Sequence, residues 1–229
     1  MLRHPLTLLT REVPPLELRP GATWLLLQDV HAPFADPEQG ALAREAGRKV
    51  VLREFDDYFD AMRLIADNLA RLVETARRVG LGVVYSCLGH EPGASPSAFQ
   101  LATGWRWDLA GPDGAFPAGW RPQDGEPIFA KPGWGALGNP AFARFLAEQR
   151  VETMLVAGAM FEFGIRQTCG ELADRGVGTL VLADAVVPLT SQAQGPAAGA
   201  MAHGLTKLRS TAETLDLLAI MARDGVVLV

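Results

Sequence analysis

The sequence predicts an α/β fold of three layers, α/β/α and Rossmann-like, built on a mainly parallel six-stranded sheet. Three observations predict it. Short continuous apolar runs recur along the chain, which suits strands buried on both faces. Segments with apolar residues at helical spacing lie between them. The two alternate, the pattern of a parallel sheet covered by helices on both sides.

The elements follow in order. Residues 1–20 read as an N-terminal arm, because Pro5, Pro14, Pro15 and Pro20 oppose a regular element. Ala22 to Gln28 is the first strand, ended by Asp29. Residues 33–59 mix acidic and basic side chains and read as irregular. From Asp60 to Val79, Met62, Ile65, Leu69, Leu72, Ala76 and Val79 form one helical stripe, stopped by Gly80. Leu81 to Ser86 is the second strand.

Residues 87–126 are rich in Gly and Pro and carry Trp105, Trp107 and Trp120. A stretch of this length without clear periodicity reads as a lid, a binding loop or an oligomer contact, with a short helix at 96–103. Ile128 to Ala130 form a short strand that delivers Lys131. A helix near 140–149 leads to the strand Thr153–Gly158. A helix over about 163–175 leads to the strand Thr179–Ala183, ended by Asp184. Residues 193–204 read as helical, and Ser210 with Glu213 is a capping box for a helix through Ala222. Residues 225–229 read as a final strand or a tail.

Composition narrows the function. The chain has 229 residues, and Lys+Arg 21 against Asp+Glu 26 gives a formal charge of −5. A mildly acidic chain without a basic block points away from nucleic acid. No apolar run reaches the roughly 18 residues of a membrane span. The N-terminus lacks the apolar stretch of a signal peptide, so a cytoplasmic protein is expected. One domain over 1–229 is expected, because no linker or long repeat interrupts the pattern.

In such sheets ligands bind beyond the C-terminal ends of the strands. Asp29, Cys87, Lys131 and the stretch after Gly158 all lie at such ends. Asp29 reads as an acid/base, a ligand or a helix cap. Lys131, among only three lysines (49, 131 and 207), makes a proton-handling pair with it, or else a surface ion pair. The two cysteines differ. Cys169 shares a core stripe with Ile165, Thr168 and Leu172 and reads as packing, whereas Cys87 can reach the cleft. Asp29, His31 and His90 have a spacing that permits a metal without specifying one, so no metal is expected. The first strand is followed by no Gly-rich phosphate motif, so no cofactor is expected.

The order of these features resembles the isochorismatase-like hydrolases over roughly residues 20–220. The motifs are Asp29-Val30-His31-Ala32-Pro33-Phe34, then Phe129-Ala130-Lys131-Pro132-Gly133-Trp134, then an apolar strand ending at Gly158, then Ala183-Asp184-Ala185. In the amidohydrolase members a Cys completes a triad with the Asp and the Lys. It sits six residues after the Gly, and here that position is Gly164. Cys169 lies five helical residues further, a rotation of about 500° and a rise of about 7.5 Å, so it faces elsewhere.

The resemblance therefore implies a cysteine-less variant, with Gly at the nucleophile position as in true isochorismatases. These hydrolyse a vinyl ether with a protonated Asp as general acid. It assigns Asp29, Lys131 and Gly164 to catalysis. It assigns His31, Phe34, Leu88, Trp134, Met160 and Phe161 to substrate binding. Leu88, Met160 and His31 stand where isochorismatases carry Gln, Tyr and Gln, which makes this pocket more apolar. Arg106, Arg121 or Arg166 would supply any anion contact. The resemblance also implies a small-molecule substrate, a homo-oligomer (dimer or tetramer) with contacts from the tryptophans of 87–126 and residues 225–229, and a cis peptide near Ala159–Met160. Two rivals stay open: an amidohydrolase of small amides or N-carbamoyl compounds using Cys87 or a water activated by Asp29 and His31, and a binding protein that has lost its nucleophile.

Overall fold

The computed structural model describes residues 15–48, 55–202 and 206–229. Its main sheet has six strands: β2 (Thr23–Gln28), β3 (Gly82–Leu88), β4 (Ile128–Lys131), β5 (Thr153–Ala159), β6 (Gly178–Val187) and β7 (Thr206–Arg209). Their order is β4-β3-β2-β5-β6-β7, and every neighbouring pair runs parallel. The chain therefore builds outward from β2 to β3 and β4, then crosses back to β5. The reversal opens a crevice at the C-terminal ends of β2, β3 and β5, the place where such sheets hold ligands.

Strand parity makes the two outer layers. Leu25 and Leu27 of β2 point into one core with Tyr85 of β3 and Leu155 of β5. Leu26, Val84 and Val156 point into the other. The helices α1 (Ala32–Ala35), α2 (Ala41–Arg48), α3 (Asp56–Arg78) and α8 (Thr211–Asp224) cover the first core. The helices α5 (Pro140–Glu148), α6 (Arg166–Ala173) and α7 (Gln194–Ala202) cover the second. The short α4 (Ala98–Thr103) is held by a Ser97/Gln100 capping box and ends at Gly104, whose φ is 76°.

Several elements depart from the sequence reading. Residues 33–59 are not uniformly irregular: α1 and α2 lie there, and α2 buries Ala41, Leu42, Ala43 and Ala46. Small apolar side chains give a weaker periodic signal than Leu or Ile. Helix α3 starts at Asp56, one turn earlier than expected. Asp56 and Asp57 sit in its first turn and Arg77 and Arg78 in its last, matching the helix dipole. The sixth strand of the sheet is Thr206–Arg209, not 225–229. Instead Val227–Leu228 (β8) pairs antiparallel with Glu17–Leu18 (β1), inside the presumed arm. Residues 1–14 of that arm, 49–54 of the irregular stretch and 203–204 of the expected helix lie outside the described residues.

Two of the three tryptophans of 87–126 also correct an expectation. Trp107 and Trp120 are buried within their own chain, and Trp120 Nε1 donates to the Val30 carbonyl at 2.9 Å. Neither is free to form an oligomer contact. Among the described residues no helix is long and apolar enough to cross a membrane.

Candidate active site

Asp29 leaves β2 in the left-handed region, with φ 51°, a conformation Asp tolerates better than most residues. Its N–H donates to Ser86 O at 2.9 Å. This turns the side chain across the end of β3, where the Leu88 N–H donates to Oδ1 at 2.6 Å. The other oxygen faces Lys131, which β4 delivers with its Nζ 2.7 Å from Oδ2. Nζ also donates to Gly133 O at 3.0 Å. Both side chains of the pair are buried. Lys131 makes a close contact with Oδ2, which has no other polar partner among the described residues.

Two effects compete at Asp29. Burial penalises the carboxylate and raises its pKa, while Lys131 and the Leu88 N–H lower it. Burial wins, so Asp29 holds its proton to higher pH than an ordinary carboxyl group. Since Oδ1 is occupied by the Leu88 N–H, the oxygen available for proton traffic is Oδ2.

The third position of the expected constellation comes from β5. Gly158 has φ 118°, and a Cβ there would run into the backbone of Gln28 on β2. Only glycine lets β2 and β5 close at this point. The Ala159–Met160 peptide that follows is cis, and a single π-type turn, Phe161–Ile165, opens α6. Gly164 lies in that turn. A Cβ on Gly164 would stand 3.5 Å from Asp29 Oδ2 and 3.2 Å from Trp134 O. Position 164 thus faces the carboxylate, and it presents no side chain.

What fills that space is Gln28, whose Nε2 a Cβ on Gly164 would overlap. Gln28 is fully buried, and Thr168 Oγ1 donates to its Oε1 at 2.8 Å. Thr168 Oγ1 in turn accepts from the Ala136 N–H at 2.9 Å. The sequence reading passed over both residues. The available signal was a polar amide closing an otherwise apolar strand.

His31 Nε2 lies 3.1 Å from the Leu88 carbonyl, so this nitrogen carries the proton and donates. Burial pushes its pKa down to about 3, leaving a neutral ring whose Nδ1 has no partner among the described residues. Phe34 packs edge-on against Trp105 and Trp107, with centroids 6.2 and 5.3 Å away. Trp134 stacks on the half-exposed Phe163 at 5.1 Å and meets Phe99 and Trp105 edge-on. Leu88, His31, Phe34 and Trp134 thus gather round the Asp29–Lys131 pair. Met160 is buried in the same core as Phe34 and Leu88. Phe161 packs in the other core, with Ile165 and Cys169.

Other candidates are buried or tied up. Cys87 lies close enough to Asp29 and Lys131 to feel both charges, but it is fully buried in the apolar core, and burial together with the Asp29 carboxylate pushes its thiol well above the usual range. Cys169 lies beside Thr179 and Thr206 and is pushed up to about 12. Both are held as thiols. Arg106, Arg121 and Arg166 are exposed. Arg106 is tied to the Ala94 carbonyl and Arg166 to the Glu162 carbonyl. His90 Nδ1 lies 3.1 Å from Trp107 O. Among the described residues no three His, Cys, Asp or Glu side chains are gathered as a metal site. Asp184 caps α8, its Oδ1 accepting from the Thr211 N–H and hydroxyl at 2.6 and 2.8 Å.

A family model described as the isochorismatase domain matches residues 23–213. The chain belongs to the isochorismatase family of hydrolases. The matched span runs from β2 into α8 and includes every strand of the main sheet. Solved structures agree on the fold of this isochorismatase-family chain. A cysteine hydrolase from Pseudomonas syringae pv. phaseolicola 1448A is 16% identical with a TM-score of 0.72, over 88% of this chain and 94% of that one. An isochorismatase family protein from Desulfovibrio vulgaris subsp. vulgaris str. Hildenborough is 21% identical with a TM-score of 0.68, over 88% and 100%. A nicotinamidase/pyrazinamidase from Bacillus subtilis is 15% identical with a TM-score of 0.64, over 82% and 99%. No functionally curated protein matches the chain significantly.

Proposed function

We propose that this isochorismatase-family hydrolase acts on a small organic substrate without a covalent intermediate, by Asp29/Lys131 acid–base chemistry of the vinyl-ether type. The observation that carries this reading is the position facing Asp29 Oδ2. It is Gly164, and both thiols of the chain are buried with their pKa values pushed up. Nucleophilic catalysis by Cys needs a thiolate, which neither environment favours.

The chemistry follows from the pair. Asp29 holds its proton on Oδ2 and gives it to the terminal vinyl carbon of the substrate. The ether oxygen then shares the positive charge as an oxocarbenium ion. Water adds to the charged carbon and returns one proton to Asp29, and the hemiketal collapses to a carbonyl compound and an alcohol. Lys131, 2.7 Å from Oδ2, stabilises the carboxylate between the two proton transfers. The aromatic rings of Phe34, Phe99, Trp105 and Trp134 favour an apolar substrate.

The test is a product-detected screen of vinyl ethers against small amides and ureas, with Asp29→Asn as the blank. Vinyl ether turnover that survives thiol alkylation supports the reading. Amide turnover lost in Cys87→Ser, with an acyl-enzyme trapped by mass spectrometry, overturns it.

A further inference from the structure

We propose that Gln28 is a further catalytic residue of this site: its Nε2 stands where a nucleophile would stand and donates a hydrogen bond to the oxygen of the attacking water. This rests on the acid–base reading of Asp29 above.

The strand places it. Side chains alternate along β2, and Gln28 shares the parity of Leu26, which points towards the core under α6. A primary amide fully buried at the end of an apolar strand is costly unless its polar atoms are used. Oε1 is used by the Thr168 hydroxyl at 2.8 Å.

The network also settles which way the amide points. Thr168 Oγ1 already accepts from the Ala136 N–H, so its own hydrogen is free to donate to Oε1. On the other side, Trp134 O is a carbonyl and can only accept. Both restraints turn the NH2 group towards Gly164. The Trp134 bond is long, at 3.4 Å, and uses one hydrogen. The second has no acceptor among the described residues.

That hydrogen and Asp29 Oδ2 flank the same point beside Gly164: a Cβ built there would overlap Nε2 and lie 3.5 Å from Oδ2. In the proposed step one water accepts from Gln28 Nε2 and donates to the Asp29 carboxylate formed by the first proton transfer. A lone pair is left for the oxocarbenium carbon. The water loses one proton to Asp29 and its oxygen becomes the hydroxyl of the hemiketal, so the step balances with no further reactant. A neutral amide orients this water without adding charge beside Asp29.

The test uses ethyl vinyl ether and phenyl vinyl ether in water and in water–methanol mixtures. It compares wild type, Asp29→Asn, Gln28→Leu and Thr168→Val. The products are acetaldehyde from water attack and the mixed acetal from methanol attack. Gln28→Leu is expected to lower kcat about 100-fold, the scale of losing one preorganised donor, with KM changed less than threefold. It is also expected to raise the acetal-to-aldehyde ratio, because water is no longer selected. Thr168→Val, which frees the amide to turn, is expected to move both quantities the same way by a smaller factor. It decides the matter if Gln28→Leu does not fold. Wild-type kcat and product ratio in the variants overturn this proposal alone. Wild type showing no more turnover than Asp29→Asn overturns the acid–base reading and this proposal with it.

Discussion

Gln28 and Gly164 occupy one another's space. The Gln28 amide fills the volume into which any side chain on residue 164 would project, although the two lie on different strand–helix units and are 136 positions apart. The backbone at 164 is not in the left-handed region, so the glycine there answers to its neighbour rather than to its own φ.

Gly164→Cys alone is therefore expected to be destabilised by about 1–3 kcal/mol, the usual cost of overpacking. In a Gln28→Val background the same substitution should cost little, because a smaller apolar side chain vacates the volume. Urea unfolding of the two single variants and the double variant gives the coupling, expected at about 0.5–3 kcal/mol. Additive effects would separate the two positions.

Asp29 has two duties that substitutions can split. Its Oδ1 satisfies the buried Leu88 N–H, and its backbone sits at φ 51°. Asparagine keeps both, whereas alanine strands the N–H and fits the left-handed region poorly. Asp29→Ala is expected to be about 2–4 kcal/mol less stable than Asp29→Asn. Both should lose at least about 100-fold in kcat, since neither can transfer the proton. Equal unfolding midpoints for the two variants would contradict this account of the loop.

The thiols should prove silent. Cys87 and Cys169 are buried and held protonated, so iodoacetamide at mildly alkaline pH is expected to leave the native mass and activity unchanged. Cys87→Ser should keep kcat within about threefold of wild type, as expected of a residue outside the chemistry. Rapid alkylation with parallel loss of activity would return Cys87 to the reaction.

The parts of the molecule that were legible in the sequence are those with a local signal. Leu25 to Leu27, Val83 to Tyr85 and Met154 to Ala157 are buried on both faces, so their strands read as continuous apolar runs. The strand ends then carried Asp29 and Lys131 to the crevice, and counting from Gly158 reached Gly164. Strand β7 was missed because Thr206-Lys207-Leu208-Arg209 is a short edge segment of mixed polarity. The pairing of Glu17–Leu18 with Val227–Leu228 joins the two ends of the chain, which no local window can show. The same holds at the site. Thr168 and Gln28 meet across 140 positions, and only their contact turns an ordinary glutamine and threonine into an oriented donor.

Two buried groups give the protein opposite responses to pH. His31 is neutral in the fold with its pKa pushed down to about 3, from an ordinary value of 6.5. The unfolded chain takes up that proton first. The His31 contribution is therefore complete above about pH 6.5 and is lost as pH falls towards 3, by at most about 5 kcal/mol. Asp29 has the reverse sign. Its folded pKa is raised above the ordinary 3.8, so the native state holds the proton more tightly than the unfolded chain. Its contribution is full below that ordinary value and declines as pH rises through the raised one. In the proposed mechanism the acid form is the working form, so kcat/KM should fall along the same rise. His31→Gln keeps a donor for the Leu88 carbonyl but cannot titrate, and should flatten only the acid side of the stability curve. Asp29→Asn should flatten only the other side. Urea midpoints of the three proteins across pH, with kcat/KM of wild type and His31→Gln, separate the two. A wild-type kcat/KM that instead rises as Asp29 loses its proton would mean that Asp29 starts the reaction as a base.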